Sequence, residues 1–271
     1  MQELVPSRSI FNFEVFLQGY WVMQRSRWTV QRALILAFLM APVVAGAQSQ
    51  SWTFTPLYSF KGGTDGSSPY AGVVRDATGN LYGVTMGNTV FRLDPTGSET
   101  VLHVFTGGSD GDTPYGGLVR DSSGNLYGTT RYGGANGWGT VFKVDVNGKT
   151  QVLYSFSGGA DGSAPTGGLL LNTGFLYGAT SGWGRDKALG PGNVFKMDLA
   201  GNQTVLYNFS GGADGDYPQG TLVRDAAGNT YGTTYYGGSA FGTNGYGVVF
   251  KLDATNQPSV LHTFTGGADG G

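Results

Sequence analysis

The stretch GGLVRDSSGNLYGTTRYGGANGWGTVFKVDVNGKTQVLYSF, residues 116–156, recurs in recognisable form four times. This repetition constrains the fold more than any other feature of the chain. Closely self-similar units fold alike and bury their apolar surface against one another. The closing phenylalanine marks the copies at Phe60, Phe105, Phe156, Phe209 and Phe264, with spacings of 45, 51, 53 and 55 residues. Within the unit lie four short apolar runs, at residues 118–120, 126–130, 140–144 and 152–156, rich in Val, Leu, Tyr, Phe and Thr. Such residues suit a pleated, half-buried surface. Turn residues punctuate them: Asp121, Gly124 and Asn125 after the first run, Asp145, Asn147 and Gly148 after the third. Asp and Asn bond back to their own backbone, and Gly accepts left-handed conformations. Connections this short join antiparallel neighbours, so each unit is predicted to be a four-stranded meander, with strands A to D in chain order.

About 50 residues and four strands per copy are the signature of a β-propeller blade. A β-solenoid rung is about half that length, and an immunoglobulin-like sandwich needs no such self-similarity. The predicted fold is all-β, a β-propeller of four-stranded antiparallel blades at residues 71–105, 116–156, 167–209 and 220–264, with an orphan D-type strand at 52–60. By analogy with other propellers, strand A lies nearest the axis and D outermost. The final residues, 266–271, repeat the start of the inter-blade linker at 211–215, so the sequence reads as stopping in mid-motif. A truncated member of a larger propeller, of about six to eight blades, is therefore expected. A self-contained four-bladed ring is the other arrangement, and it would hold one D strand too many.

The 49 glycines among 271 residues, far above the usual share of about 7%, are turn punctuation in this repeat. Charged residues make up 13% of the chain and the net charge is −2, which gives no electrostatic footprint for nucleic acid. There are no cysteines, so disulfides and Cys-ligated zinc are excluded. Residues 1–47 stand outside the repeat. Arg25, Arg27 and Arg32 precede an apolar run at 33–44, and Ala45-Gly46-Ala47 then offers a cleavage site before Gln48. This is the order of regions in a secretory signal peptide, and Met23 is a candidate true start. The run is too short for a bilayer span, which needs about 20 residues. The mature domain, 48–271, is expected to be exported, without a membrane span, and monomeric.

Two connections per unit are long. The linkers from D to A carry Asp65, Asp110, Asp161 and Asp214 within Gly-Gly-x-Asp-Gly strings. The B–C loops lengthen from copy to copy, from 86–89 to 235–247. In a meander these two sets share one end of the sheets. Variable loops on a rigid scaffold are where binding resides. Their aromatic residues, Tyr132, Trp138, Trp183, Tyr235, Tyr236 and Tyr246, with Phe241 and the linker residues Tyr70, Tyr115 and Tyr217, form the candidate ligand surface. Rings supply apolar area and neighbouring polar groups orient a glycan or a surface protein; packing over the glycine-rich loops is the competing role.

The string G-G-L-V-x-D-x-x-G-N-L-Y-G-T-T, followed by G-T-V-F-K and V-L-Y-S-F-x-G-G-x-D-G, resembles the GloVer-type tandem repeat of exported bacterial proteins described as "choice-of-anchor" proteins. The resemblance covers about residues 57–271 and implies a many-copy exported repeat protein. It carries no established activity and no catalytic residues.

The residues at hand favour no cofactor. Calcium takes about six to eight oxygens, whereas each linker offers one or two carboxylates, including Asp110 with Asp112 and Asp214 with Asp216. Turn capping is the simpler role. Arg75, Arg120 and Arg224 are expected to pair with the adjacent Asp76, Asp121 and Asp225; copy three has Leu171 and Asn172 instead. His103 and His262 occupy positions held by Tyr58, Tyr154 and Tyr207 elsewhere, which reads as packing. No catalytic or metal residues are assigned. The leading function is a non-catalytic exported module that binds glycan or protein through its long loops. A propeller hydrolase or lyase acting on polysaccharide or cell-wall material, and a purely structural surface repeat, are the alternatives.

Overall fold

The computed structural model describes residues 53–182, 190–238 and 245–270. The expected leader and its cleavage site lie outside the described residues. The chain divides into two compact units, Met1–Thr55 and Pro56–Gly271; the second holds every repeat.

Seventeen strands form four antiparallel sheets. The first contains β1 (Val74–Arg75), β2 (Leu81–Thr85), β3 (Thr89–Leu93) and β4 (Glu99–Val104). The second contains β5 (Asp112–Pro114), β6 (Val119–Arg120), β7 (Leu126–Tyr132), β8 (Thr140–Val144) and β9 (Thr150–Ser155). The third contains β10 (Leu170–Asn172), β11 (Phe175–Thr180), β12 (Asn193–Asp198) and β13 (Gln203–Asn208). The fourth contains β14 (Asp216–Arg224), β15 (Thr230–Tyr236), β16 (Val248–Leu252) and β17 (Pro258–Thr263). In three sheets the strands are neighbours in chain order; in the second, β5 and β6 both pair with β7, which β8 and β9 then follow. No helix among the described residues is long and apolar enough to cross a membrane.

Alternation along one strand shows how the blades hold together. In β8, Val141 joins Phe156 of its own blade in a core shared with Leu169 and Phe195 of the third blade. Phe142 and Val144 join Val84, Val90 and Phe105 of the first blade. Adjacent residues of a strand point to opposite faces, so this apolar strand serves two interfaces. A third core joins Tyr177, Val194 and Phe209 to Leu222, Phe250 and Leu252. The closing phenylalanine of each copy is the joint. Phe105 meets Phe142 edge-on at 4.9 Å, Phe156 meets Phe195 at 5.4 Å, and Phe209 meets Phe250 at 5.1 Å. The outer hairpins carry the same bulge four times, between Val90 and Phe91, Val141 and Phe142, Val194 and Phe195, and Val249 and Phe250. Leu102, Leu153 and Leu206, the residues passed over there, pack onto the three cores. Leu261, their counterpart in the fourth blade, is 55% exposed, and Val260 is 41% exposed.

Three details differ from the sequence reading. Residues 53–60 form no strand, and no strand C precedes them among the described residues. Phe60 nevertheless meets Phe91 at 4.9 Å, as its counterparts do. The linkers are not wholly loop: β5 and the start of β14 pair with the B strands β7 and β15, and Pro165 bridges Thr180. The Arg–Asp pairs do not form; the ion pairs among the described residues are His103–Asp110 and His262–Asp269. Arg224 instead donates to Thr230 Oγ1 at 2.7 Å and lies 4.7 Å from the Tyr177 ring of the third blade. The turn aspartate is held by Asn and Tyr: Asp121 accepts from Asn125 N and Nδ2 and from Tyr127 Oη. Copy three, which lacks that aspartate, turns through Thr173 and Gly174, both at positive φ, between the paired Asn172 and Phe175. That is the backbone of a type I′ hairpin.

Nearest the axis the blades touch through backbone. A methyl group added at Gly116 would lie 2.3 Å from Gly167 O, and one at Gly167 would lie 2.1 Å from Gly220 O.

Candidate functional site

The site begins with the linker aspartate. Asp161 accepts from Ser157 N at 2.8 Å and Tyr154 Oη at 2.9 Å, and from Ser157 Oγ. Burial pushes its carboxyl up, but these bonds outweigh burial and hold it below the ordinary range. Burial, followed by the bond to Asp161, pushes the Tyr154 phenol up to about 12. Asp65 is bound the same way by Lys61 N and Tyr58, and Asp214 by Ser210 and Tyr207. In two copies His103 and His262 replace the tyrosine, 3.3 Å and 3.4 Å from their aspartates. Turn capping therefore occupies the recurrent linker aspartates Asp65, Asp110, Asp161 and Asp214, and the Tyr/His position is their partner.

The next residues set the B–C loops against the linkers. Gly134 N donates to Gly108 O, Gly182 N to Ser163 O and Gly238 N to Gly212 O. Each loop also meets the following linker, with Ala164 N donating to Trp138 O and Tyr217 N to Pro191 O. The residue before each linker proline, Ser68, Thr113, Ala164 and Tyr217, has a positive φ of 50° to 61°. That conformation is uncommon for residues other than glycine, and it recurs where the chain bends into the inner strand.

On this scaffold the predicted residues separate into two groups. Trp138 packs on the second core and over Gly158, where a Cβ would lie 2.6 Å from its Nε1. Tyr246 covers Gly266 in the same register. Packing over the loops, the competing role, accounts for both positions. Trp183 and Phe241 lie outside the described residues. Tyr132, Tyr235 and Tyr236 belong to an aromatic chain that crosses from blade to blade. Tyr70 stacks obliquely on Tyr115 at 4.6 Å. The Arg131 guanidinium lies 5.8 Å from the Tyr115 ring and 5.2 Å from the Tyr132 ring. Arg131 Nη2 donates to Tyr217 Oη at 3.3 Å. Tyr217 in turn lies 6.0 Å from Tyr235 and 6.2 Å from Tyr236, which meet each other at 4.5 Å. Tyr70 and Tyr235 are exposed at 66% and 57%, while Tyr217 is buried. Beyond them a groove of about 500 Å³ is lined by Thr233, Thr234, Tyr235, Tyr236, Gly245, Tyr246 and Phe264.

The sequence reading missed Arg131. Its register is Met86 in copy one, Ser181 in copy three and Tyr235 in copy four. A single charge at a position that carries none in the other copies was the available signal.

Four antiparallel sheets joined face to face by repeated aromatic contacts define a β-propeller repeat protein. Residues 86–271 match the Gloeobacter/Verrucomicrobia repeat, and the chain belongs to that family. No curated protein matches it. In fold it is similar to virginiamycin B lyase from Staphylococcus aureus, at 15% identity and a TM-score of 0.50, over 73% of this chain and 56% of that one. It is also similar to the extracellular domain of BT4673 from B. thetaiotaomicron, at 17% identity and a TM-score of 0.52, over 78% of this chain and 27% of that one. The chain thus spans about half the length of the first and about a quarter of the second. At these identities the likeness is one of fold.

Proposed function

We propose that this chain is an exported, non-catalytic repeat module that binds glycan through the face formed by its B–C loops and linkers. The observation that carries the reading is the chain of tyrosines from Tyr70 through Tyr115, Tyr132 and Tyr217 to Tyr235 and Tyr236, opening onto the 500 Å³ groove. Phenol rings at a wet surface pair apolar area with an orienting hydroxyl, the combination a sugar ring needs. The recurrent aspartates face inward to their own turns, so acid–base chemistry would have to be assembled from other groups. The leader-like segment at 25–47 supports export.

The test is a glycan array probed with wild-type chain and with Tyr235→Ala. Tyr235 is exposed, so its removal leaves the fold intact, which circular dichroism verifies. Saturable binding to a glycan that the variant loses supports the reading. A folded wild-type chain that binds nothing on the array overturns it in favour of a structural repeat.

A further inference from the structure

We propose that Arg131 is the anchor of a subsite for a carboxylate, and that the glycan recognised on this face is an acidic, uronate-bearing polysaccharide. The proposal rests on the glycan-binding reading and names the chemistry of its ligand. A guanidinium presents five N–H donors and is always charged. Among the described residues, that of Arg131 has one acceptor, Tyr217 Oη, through Nη2. Its Nε is buried without a partner, as are those of Arg92 and Arg120, so the donors it can offer a ligand are those of its terminal nitrogens. The ion pairs among the described residues are both His–Asp, so no carboxylate among them neutralises it. Asp112, on the strand paired with Tyr132, is held by Asn88 Nδ2 and Thr113 Oγ1 instead. The rings of Tyr115 and Tyr132 stabilise the cation through their faces, but ring faces offer its N–H donors no oxygen acceptor.

A partly buried charge is costly unless it is paired, and Tyr217 Oη is the acceptor that the described residues supply to the Arg131 guanidinium. A carboxylate pairs with it best, because its two oxygens match the guanidinium fork. The surroundings choose between sources of that carboxylate. Tyr115 and Tyr132 place phenol rings 5.8 Å and 5.2 Å from the cation, Tyr70 stacks on Tyr115, and the exposed Tyr235 continues the row. A polymer of pyranoses that carry carboxylates matches rings spaced around one cation better than an acidic peptide does. The net charge of −2 is no obstacle, since salt screens long-range repulsion beyond about 8 Å at physiological strength.

The experiment compares binding of the wild-type chain to polygalacturonate, to its fully methyl-esterified form and to polyglutamate, alongside Arg131→Gln and Arg131→Lys. The expected result is saturable binding to polygalacturonate, weakened at least about tenfold by esterification and by Arg131→Gln, as loss of a charged hydrogen-bonding partner implies. Arg131→Lys, which keeps charge without the fork, retains part of the affinity. Equal binding of acid and ester overturns the carboxylate subsite, and needs no variant to fold. Neutral-glycan binding that Tyr235→Ala abolishes and Arg131→Gln leaves unchanged also overturns it, while the function proposed above stands. Arg131-dependent binding of polyglutamate alone overturns the polysaccharide and identifies an acidic peptide. Binding of no polymer and no array glycan overturns both readings together.

Discussion

Truncating the closing phenylalanine should cost different amounts in different copies, although the motif around it is the same. Phe156 is fully buried, and its ring meets Tyr154 and the next blade's Phe195 at 5.1 Å and 5.4 Å. Phe105 and Phe209 are placed alike, against Phe142 and Phe250. Replacing a buried Phe by Ala costs about 3–5 kcal/mol, and a domain of this size loses about 2–4 °C of Tm per kcal/mol. Phe105→Ala, Phe156→Ala and Phe209→Ala should therefore each lower Tm by about 6–20 °C. Phe264 keeps its intra-blade contact with His262 at 4.8 Å, but the described residues supply no following ring. Its neighbour Leu261 is more than half exposed. An aromatic pair contributes about 0.5–1.5 kcal/mol beyond burial, so Phe264→Ala should cost about 1 kcal/mol. Equilibrium guanidinium denaturation of the chain, followed by circular dichroism, measures the four differences, with an unchanged m-value as the check on a common unfolded state. If Phe264→Ala costs as much as Phe156→Ala, the fourth blade is covered in solution and the reasoning from exposure fails. If all four cost under about 1 kcal/mol, the ladder is not what joins the blades.

Three further outcomes follow from the same geometry. Gly167→Ala should destabilise the chain by at least about 1–3 kcal/mol, since the new methyl meets Gly220 backbone rather than a side chain able to move; a neutral change in the denaturation midpoint would refute the axial packing. Stability should fall as pH rises from about 10 towards 12. Tyr127, Tyr154 and Tyr207 are raised to about 12 by burial and then by their aspartates, so folding favours the neutral phenol below the unfolded value near 10. Replacing all three with Phe should flatten that limb in a Tm-against-pH series. At the acid end the sign reverses. Asp225, lowered to about 2 first by the Asn229 side chain, contributes above the unfolded carboxylate value near 3.9 and loses its contribution as pH falls towards 2; Asp225→Asn should show a shallower acid limb.

The repeat makes the blades legible because each motif residue answers to one local cause. The apolar run 140–144 reads as a strand, although its burial on both faces shows only in the structure. Asp145, Asn147 and Gly148 read as its turn. Gly128, within β7, lies opposite Phe142, whose ring would be 2.6 Å from an added Cβ. What failed was pairing that depends on tertiary context. Arg120 and Asp121 are adjacent in sequence and opposite in charge, yet Asn125 and Tyr127 reach the carboxylate from within the same hairpin. The short inner strands were misjudged because β5 comes from a linker rich in glycine and proline, and its pairing with β7 is set by the positive-φ residue Thr113. No propensity scale marks that position, which holds Ser, Thr, Ala or Tyr in the four copies. The ligand face was legible only as a class. Aromatic loops pointed to it, but whether a ring packs on glycine, as Trp138 does on Gly158, or joins a surface row, as Tyr235 does, depends on contacts between copies.

That distinction also indicates where function is to be sought in such a chain. A residue present in every copy is explained by the blade: Asp161 by its turn and Phe156 by its neighbour. Repetition at such positions carries stability, and a ligand site built from them would be repeated too. Arg131 and Tyr217 occur once each in their registers. Yet they meet across 86 residues of chain, from the second blade to the entry of the fourth. A contact that the repeat does not require, between two blades that do not follow one another, is hard to attribute to folding the unit. It gives four nearly equivalent sheets one asymmetric point, and specific recognition of a ligand requires such a point.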